Sequence, residues 1–176
     1  MTDHDSTTER ADLLETLTAH RAFLRHAAAG LTDDQARQRP TVSELSIGGL
    51  IKHVASVESG WADFMAGTPS AMNADIDWEH PDPAVLAEYR NGFVLLADET
   101  LDGVLAEYER VAARTDELVA TLDLDTRYAL PAAPWFPPGA SRSVRRVITH
   151  IIAETAQHAG HADILRETID GQKTMG

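Results

Sequence analysis

Glu154 and His158 stand one helical turn apart on the apolar face of a helix, a placement that calls for chemistry. At 100° per residue, with His150 as the origin, Glu154 projects at about 40° and His158 at about 80°. Val147 and Leu165 project at about 60°, and Ile151 and Ile169 at about 100°. An ionised carboxylate on such a face is costly unless it is paired, hydrogen-bonded or bound to a metal. A Glu and a His one turn apart can reach one divalent ion, and facing helices of a bundle can complete such a site. His53 is the candidate third ligand, because it projects close to the stripe of Leu50, Val57, Trp61 and Phe64 on an earlier helix. Three protein ligands leave a position open, as in catalytic or substrate-binding sites. Water there would have its pKa lowered to roughly 7, or a substrate thiol or oxygen could bind as its anion. Spacing leaves a second reading open, in which these are hydrogen-bonded core residues and a chance Glu/His pair.

The other histidines are less committed. His161 projects at about 20°, beside the stripe, and is read as a partner that orients the ligands, a substitute ligand, or a capping or surface residue. His150, at the edge and one turn earlier, is read as an orienting or structural residue. His4, His20, His26 and His80 have no partner at suggestive spacing and are expected to face solvent or serve structure. Asp116, Glu117, Asp123 and Asp125 look like a solvated face. Trp135 and Phe136, adjacent aromatics among prolines just before the ligand-bearing helix, could cover a pocket mouth or seal the end of a bundle.

Helices must position these groups. A first helix is expected from Thr7 to about Ala29, with Leu13, Leu17, His20 and Leu24 at three- or four-residue steps and Gly30 closing the run. Thr32 and Asp33 begin a short helical turn that stops by Pro40. A second long helix starts near Ser46 and ends at Gly67 and Pro69, with Gly48 and Gly49 in its first turns, where close packing or ligand approach would explain their presence. Residues 68–83, with Pro69, Pro81 and Pro83, read as a long connection. A third helical stretch begins near Pro83 or Ala84, interrupted at Gly92 and Gly103 and strongest from Leu101 to Leu122. The last helix is expected from about Ser141 to Ile169. No convincing run of alternating strand residues is seen. Four amphipathic helices predict an all-α four-helix bundle, as one domain over residues 1–176.

Composition narrows the chemistry. The 176 residues include no cysteine, so any metal must be held by His and carboxylates, and the protein supplies no thiol nucleophile. Zinc, or nickel, suits that donor set. Fifteen Lys plus Arg against 28 Asp plus Glu leave a net charge of -13, which argues against nucleic acid and anionic lipid as partners. Arg142, Arg145 and Arg146 make one short basic patch that could contact an anionic ligand group. No signal peptide or apolar window of about 18 residues is found, so a cytoplasmic protein with no membrane partner is expected.

Two segments carry a family resemblance. SELSIGGLIKHVASVESGW, from Ser43 to Trp61, and THIIAETAQHAGHADILRETIDG, from Thr149 to Gly171, resemble the signature segments of the DinB-like superfamily, closest to its mini-circle-protein subgroup. The resemblance implies an up-down-down-up four-helix bundle with a long crossover, often a homodimer, with a metal site at one end. Many such proteins hold the metal with three histidines. Glu154 departs from that pattern, but the site is similar to that of mycothiol-dependent maleylpyruvate isomerases, whose His, Glu and His ligands fall on His53, Glu154 and His158. Those enzymes have a further C-terminal domain, so the isomerase activity itself is not carried over. The resemblance thus implies a metal-dependent enzyme using a low-molecular-weight thiol such as mycothiol, an S-transferase or isomerase acting on a small molecule. A metal-dependent hydrolase and a non-catalytic metal- or ligand-binding stress-response bundle are the alternatives.

Overall fold

Capping chemistry sets where the helices begin and end. The computed structural model describes residues 3–68, 80 and 82–174, with side chains from Thr7 onward. Helix α1 (Asp3–Ala28) stops before Gly30, whose φ of 74° is a left-handed conformation that glycine adopts without strain. Helix α2 (Asp33–Arg37) opens under a reciprocal cap between Thr32 and Gln35. Ser46 accepts from the Gly49 amide at the head of α3 (Ile47–Met65). Asp82 caps α4 (Pro83–Asn91), with Pro83 in its first turn. Thr100 caps α5 (Leu101–Thr121) by accepting from the Gly103 amide, so Gly103 lies inside the first turn and does not interrupt the helix as expected.

The last expected helix also begins differently. Ser141–Ser143 form a short strand, β2, antiparallel to β1 (Arg127–Ala129), and α6 (Val144–Asp170) starts after it with Ser143 as its cap. Three-residue strands are too short to leave an alternating pattern. The connection over 68–83 lies largely outside the described residues, as does the side chain of His4.

Cross-helix contacts fix the directions of the four long helices. Arg145 pairs with Glu9, and Arg166 donates to the Ala27 carbonyl, so α1 and α6 run parallel. Glu154 reaches His53 while His150 packs on Trp61, so α3 runs against α6. Lys52 pairs with Glu99 just before α5, and Asp63 pairs with Arg114 within it, so α3 and α5 run together. The order is up-down-down-up, an all-α bundle with the β1–β2 ribbon beside the start of α6.

The core has two apolar clusters. One gathers Leu24, Leu50, Val54, Tyr108 and Leu165, and the other Leu17, Trp61, Phe64, Val119 and Ile151. Between them along α1 and α3 lies an ion pair. Arg21 donates to both oxygens of Glu58, at 2.5 and 3.3 Å, and to Asp116 at 2.8 Å. Arg21 and Glu58 are each 1% exposed. Asp116 is therefore an ion-pair partner on α5 and not only part of a solvated face, and Asp125 likewise pairs with Arg145.

Candidate metal centre

Antiparallel packing of α3 on α6 brings together three residues. Oε1 of Glu154 lies 3.3 Å from Nε2 of His53 and 3.2 Å from Nε2 of His158. One donor atom from each of the three falls within 4.8 Å of the others. An ion bonded at about 2.0–2.1 Å in a tetrahedral shell spaces its ligand atoms about 3.3–3.4 Å apart, so the separations of Glu154 from each histidine and the N/O donor set fit a divalent metal. The two imidazoles also account for the charge state of the carboxylate. Hydrogen bonds from His158 and His53 hold Glu154 far below the usual carboxylate range against the opposing effect of burial.

Glu154 and His158 stand on the flank of α6 rather than on its buried stripe, and His53 meets them from α3. Ile148, Ile151, Thr155 and Ala162 make the buried stripe, while the side chains of Glu154 and His158 are 24% and 12% exposed and His53 is 14% exposed. A site at that edge is reached from solvent, as a ligand-exchanging centre requires.

Neighbouring groups orient the three side chains. The His53 ring stacks on Phe93 with centroids 4.0 Å apart and planes 20° from parallel. Phe93 reaches it because the α4–α5 connection lies tight on α3. A Cβ on Gly49 would stand 2.0 Å from the Phe93 carbonyl oxygen, and one on Gly48 2.8 Å from Leu95, which is the close packing expected at these glycines. Lys52 holds the same connection by donating to the Val94 carbonyl and to Glu99. Nδ1 of His158 lies 3.4 Å from Nδ1 of His161. A metal on Nε2 of His158 requires the proton on Nδ1, which His161 can accept, fixing the tautomer.

His150 falls outside the three-residue group. Its ring meets Trp61 edge-on at 5.0 Å, and burial together with the nearby Arg142 charge pushes its pKa below the ordinary value. It lines a cavity of about 640 Å³ that opens beside His53 and Glu154 and is walled by Trp61, Tyr89, Phe93, Trp135, Phe136 and Arg142. Phe136 packs against the core while Trp135 is 58% exposed, so the loop contributes both to the cavity wall and to the sealing of the bundle end. The Arg142, Arg145 and Arg146 patch is divided. Arg145 turns to Glu9 and Asp125, whereas Arg142 turns to the cavity and lies over the rings of Trp61 and Phe136.

The sequence reading missed Phe93, Tyr89 and the orientation of Arg142. Phe93 follows Gly92 in a connection without periodicity, so only the pairing of Gly49 with its backbone could have signalled it. Of the remaining histidines, His20 packs against Phe23 and His26 is exposed.

Comparisons with known proteins agree with this architecture. The family model described as mycothiol-S-transferase matches residues 12–171. No curated protein matches the sequence. A crystal structure of a conserved protein from Enterococcus faecalis is similar, with a TM-score of 0.66 and 15% identity over 91% of this chain and 96% of that one. At that identity the likeness shows a shared fold. No helix among the described residues is long and apolar enough to cross a membrane.

Proposed function

This chain belongs to the mycothiol-S-transferase family of the DinB-like superfamily, and from that premise we propose that it joins the sulfur of a mycothiol-type thiol to a small electrophile at a metal held by His53, Glu154 and His158. The observation that carries the reading is the convergence of two imidazoles and one carboxylate, of which His53 and Glu154 line an aromatic cavity. Zinc is the metal favoured by the donor set. When bound, it would lower the pKa of a thiol so that the sulfur is present as the thiolate near neutral pH. The thiol has to come from a small molecule, because the chain contains no cysteine.

The chain's own residues supply the rest. Two neutral imidazoles and one carboxylate leave a divalent site with one positive charge, which favours an anionic sulfur over a neutral one. His150 lines the same cavity and is placed to pass the thiol's proton on to solvent; burial and the Arg142 charge push its pKa below the ordinary value, so its ring would not retain that proton. Trp61, Phe93 and Phe136 wall the cavity with apolar surface and limit water around the reacting sulfur.

The test is conjugation of mycothiol to an alkylating electrophile by protein as purified, by chelator-stripped protein and by stripped protein resupplied with zinc. Loss on stripping and recovery with zinc support the reading. Equal rates with and without metal would show that these residues do not act through an ion.

A further inference from the structure

Arg142 differs from the arginines around it. Arg21, Arg37, Arg145 and Arg166 all donate to carboxylates or carbonyls. Arg142 has no hydrogen-bond or salt-bridge acceptor among the described residues, and its Nη1 is buried without a partner. Its guanidinium carbon lies instead 4.7 Å from the centre of the Trp61 ring and 5.3 Å from that of Phe136. Pairing of Arg142 with Tyr128 across the β ribbon fixes the backbone from which it projects. Burial and the neighbouring Arg146 charge make its cation costly, a cost that no carboxylate among the described residues offsets by pairing.

Such a group is prepared for an anion. A guanidinium presents its N–H donors in a rigid fork that matches the two oxygens of a carboxylate, and the aromatic contacts hold the fork in place while leaving its N–H edge unused. The carboxylates on the same cavity do not compete for it. Glu154 is engaged by His53 and His158, and Glu88 on α4 is exposed to solvent.

We propose that Arg142 is a specificity-determining residue that receives the carboxylate of the electrophilic substrate, and that the substrate class is small aromatic carboxylic acids bearing a conjugated double bond, across which the thiol's sulfur and proton add with no leaving group, while the cavity aromatics cover the ring. The proposal rests on the reading of this cavity as the substrate's seat. Its test measures binding and not turnover, so either reading can fail while the other stands.

Benzoate and its neutral isostere benzamide are titrated by calorimetry into the zinc-loaded protein and into chelator-stripped protein. The expected result is benzoate binding at least about tenfold tighter than benzamide in both forms, with the preference reduced to about twofold or less in Arg142→Gln. Arg146→Gln, which removes the same charge from an exposed neighbour, keeps the preference. Arg142→Lys, which retains the charge without the planar fork, keeps only part of it. Equal binding of the two probes by wild type overturns the proposal and needs no variant. So does a preference that survives in Arg142→Gln, which would place the carboxylate on the metal if it survives only in the zinc-loaded form and on another group if it survives in both, or one lost equally in Arg146→Gln, which would make it a bulk charge effect.

Discussion

Nε2 of His53 lies 3.3 Å from Oε1 of Glu154, a residue 101 positions further along the chain. This contact locks the register of α3 against α6 and gives the metal-free protein a pH dependence. Glu154 is held well below the ordinary carboxylate value of 4.5 by its hydrogen bonds to His158 and His53. Because its folded value is depressed, its contribution to stability is present above the unfolded value and is lost as pH falls from there toward the folded one. Denaturant midpoints of chelator-stripped protein, followed from about pH 7 to about pH 3, should fall less steeply in Glu154→Gln than in wild type at the acid end. Parallel acid limbs would contradict the assignment of that charge.

His161 orients His158 through the Nδ1 contact at 3.4 Å. His161→Ala should leave the fold intact and weaken zinc affinity by about 10–100-fold, as loss of a ligand-orienting partner typically does. Competition with a chromophoric chelator measures it. Unchanged affinity would return His161 to a surface role.

Gly49 and Gly160 should respond oppositely to the same substitution. A Cβ at Gly49 meets the Phe93 backbone oxygen at 2.0 Å, whereas at Gly160 in α6 it meets nothing within 4 Å. Gly49→Ala should destabilise the protein by more than about 2 kcal/mol and, by moving Phe93 off His53, weaken metal binding as well. Gly160→Ala should stabilise by up to about 1 kcal/mol through helix propensity alone. Thermal or denaturant unfolding of the two variants is the measurement.

The Arg21–Glu58 pair separates charge burial from packing. Glu58→Gln leaves a buried guanidinium with only the half-exposed Asp116, and should cost about 3–5 kcal/mol. Replacing both partners, as Arg21→Met with Glu58→Leu, should recover most of that loss, because it removes two buried charges together. A double variant as unstable as the single one would mean that the pair does more than neutralise itself.

Legibility in the sequence followed the strength of the physical signal. The long helices were readable because cap residues such as Ser46 and periodic apolar residues such as Leu50, Val54 and Trp61 agree. The grouping of Glu154 with His158 was readable because i, i+4 spacing determines which side chains share a face. Position on that face was less so: both residues were expected among the stripe residues, and packing of α3 places them on its flank. The β1–β2 ribbon left no pattern because each strand has three residues. Arg21 was not anticipated as a core residue, since its partners Glu58 and Asp116 lie on two other helices and no local spacing connects them. Phe93 was hidden for the same reason, and although Arg142 stood in a basic patch able to contact an anionic group, its turn into the cavity over Trp61 and Phe136 comes from tertiary contacts alone.

In the proposed function His53, Glu154 and His158 hold a metal ion. Elemental analysis of the purified protein beside His158→Ala, both exposed to zinc and then dialysed, tests it most directly. Close to one zinc per chain in wild type, with most of it lost in a folded His158→Ala variant, is the predicted result. Metal absent from wild type, or retained equally by the variant, would contradict the account and leave Glu154 as a carboxylate hydrogen-bonded to two core histidines.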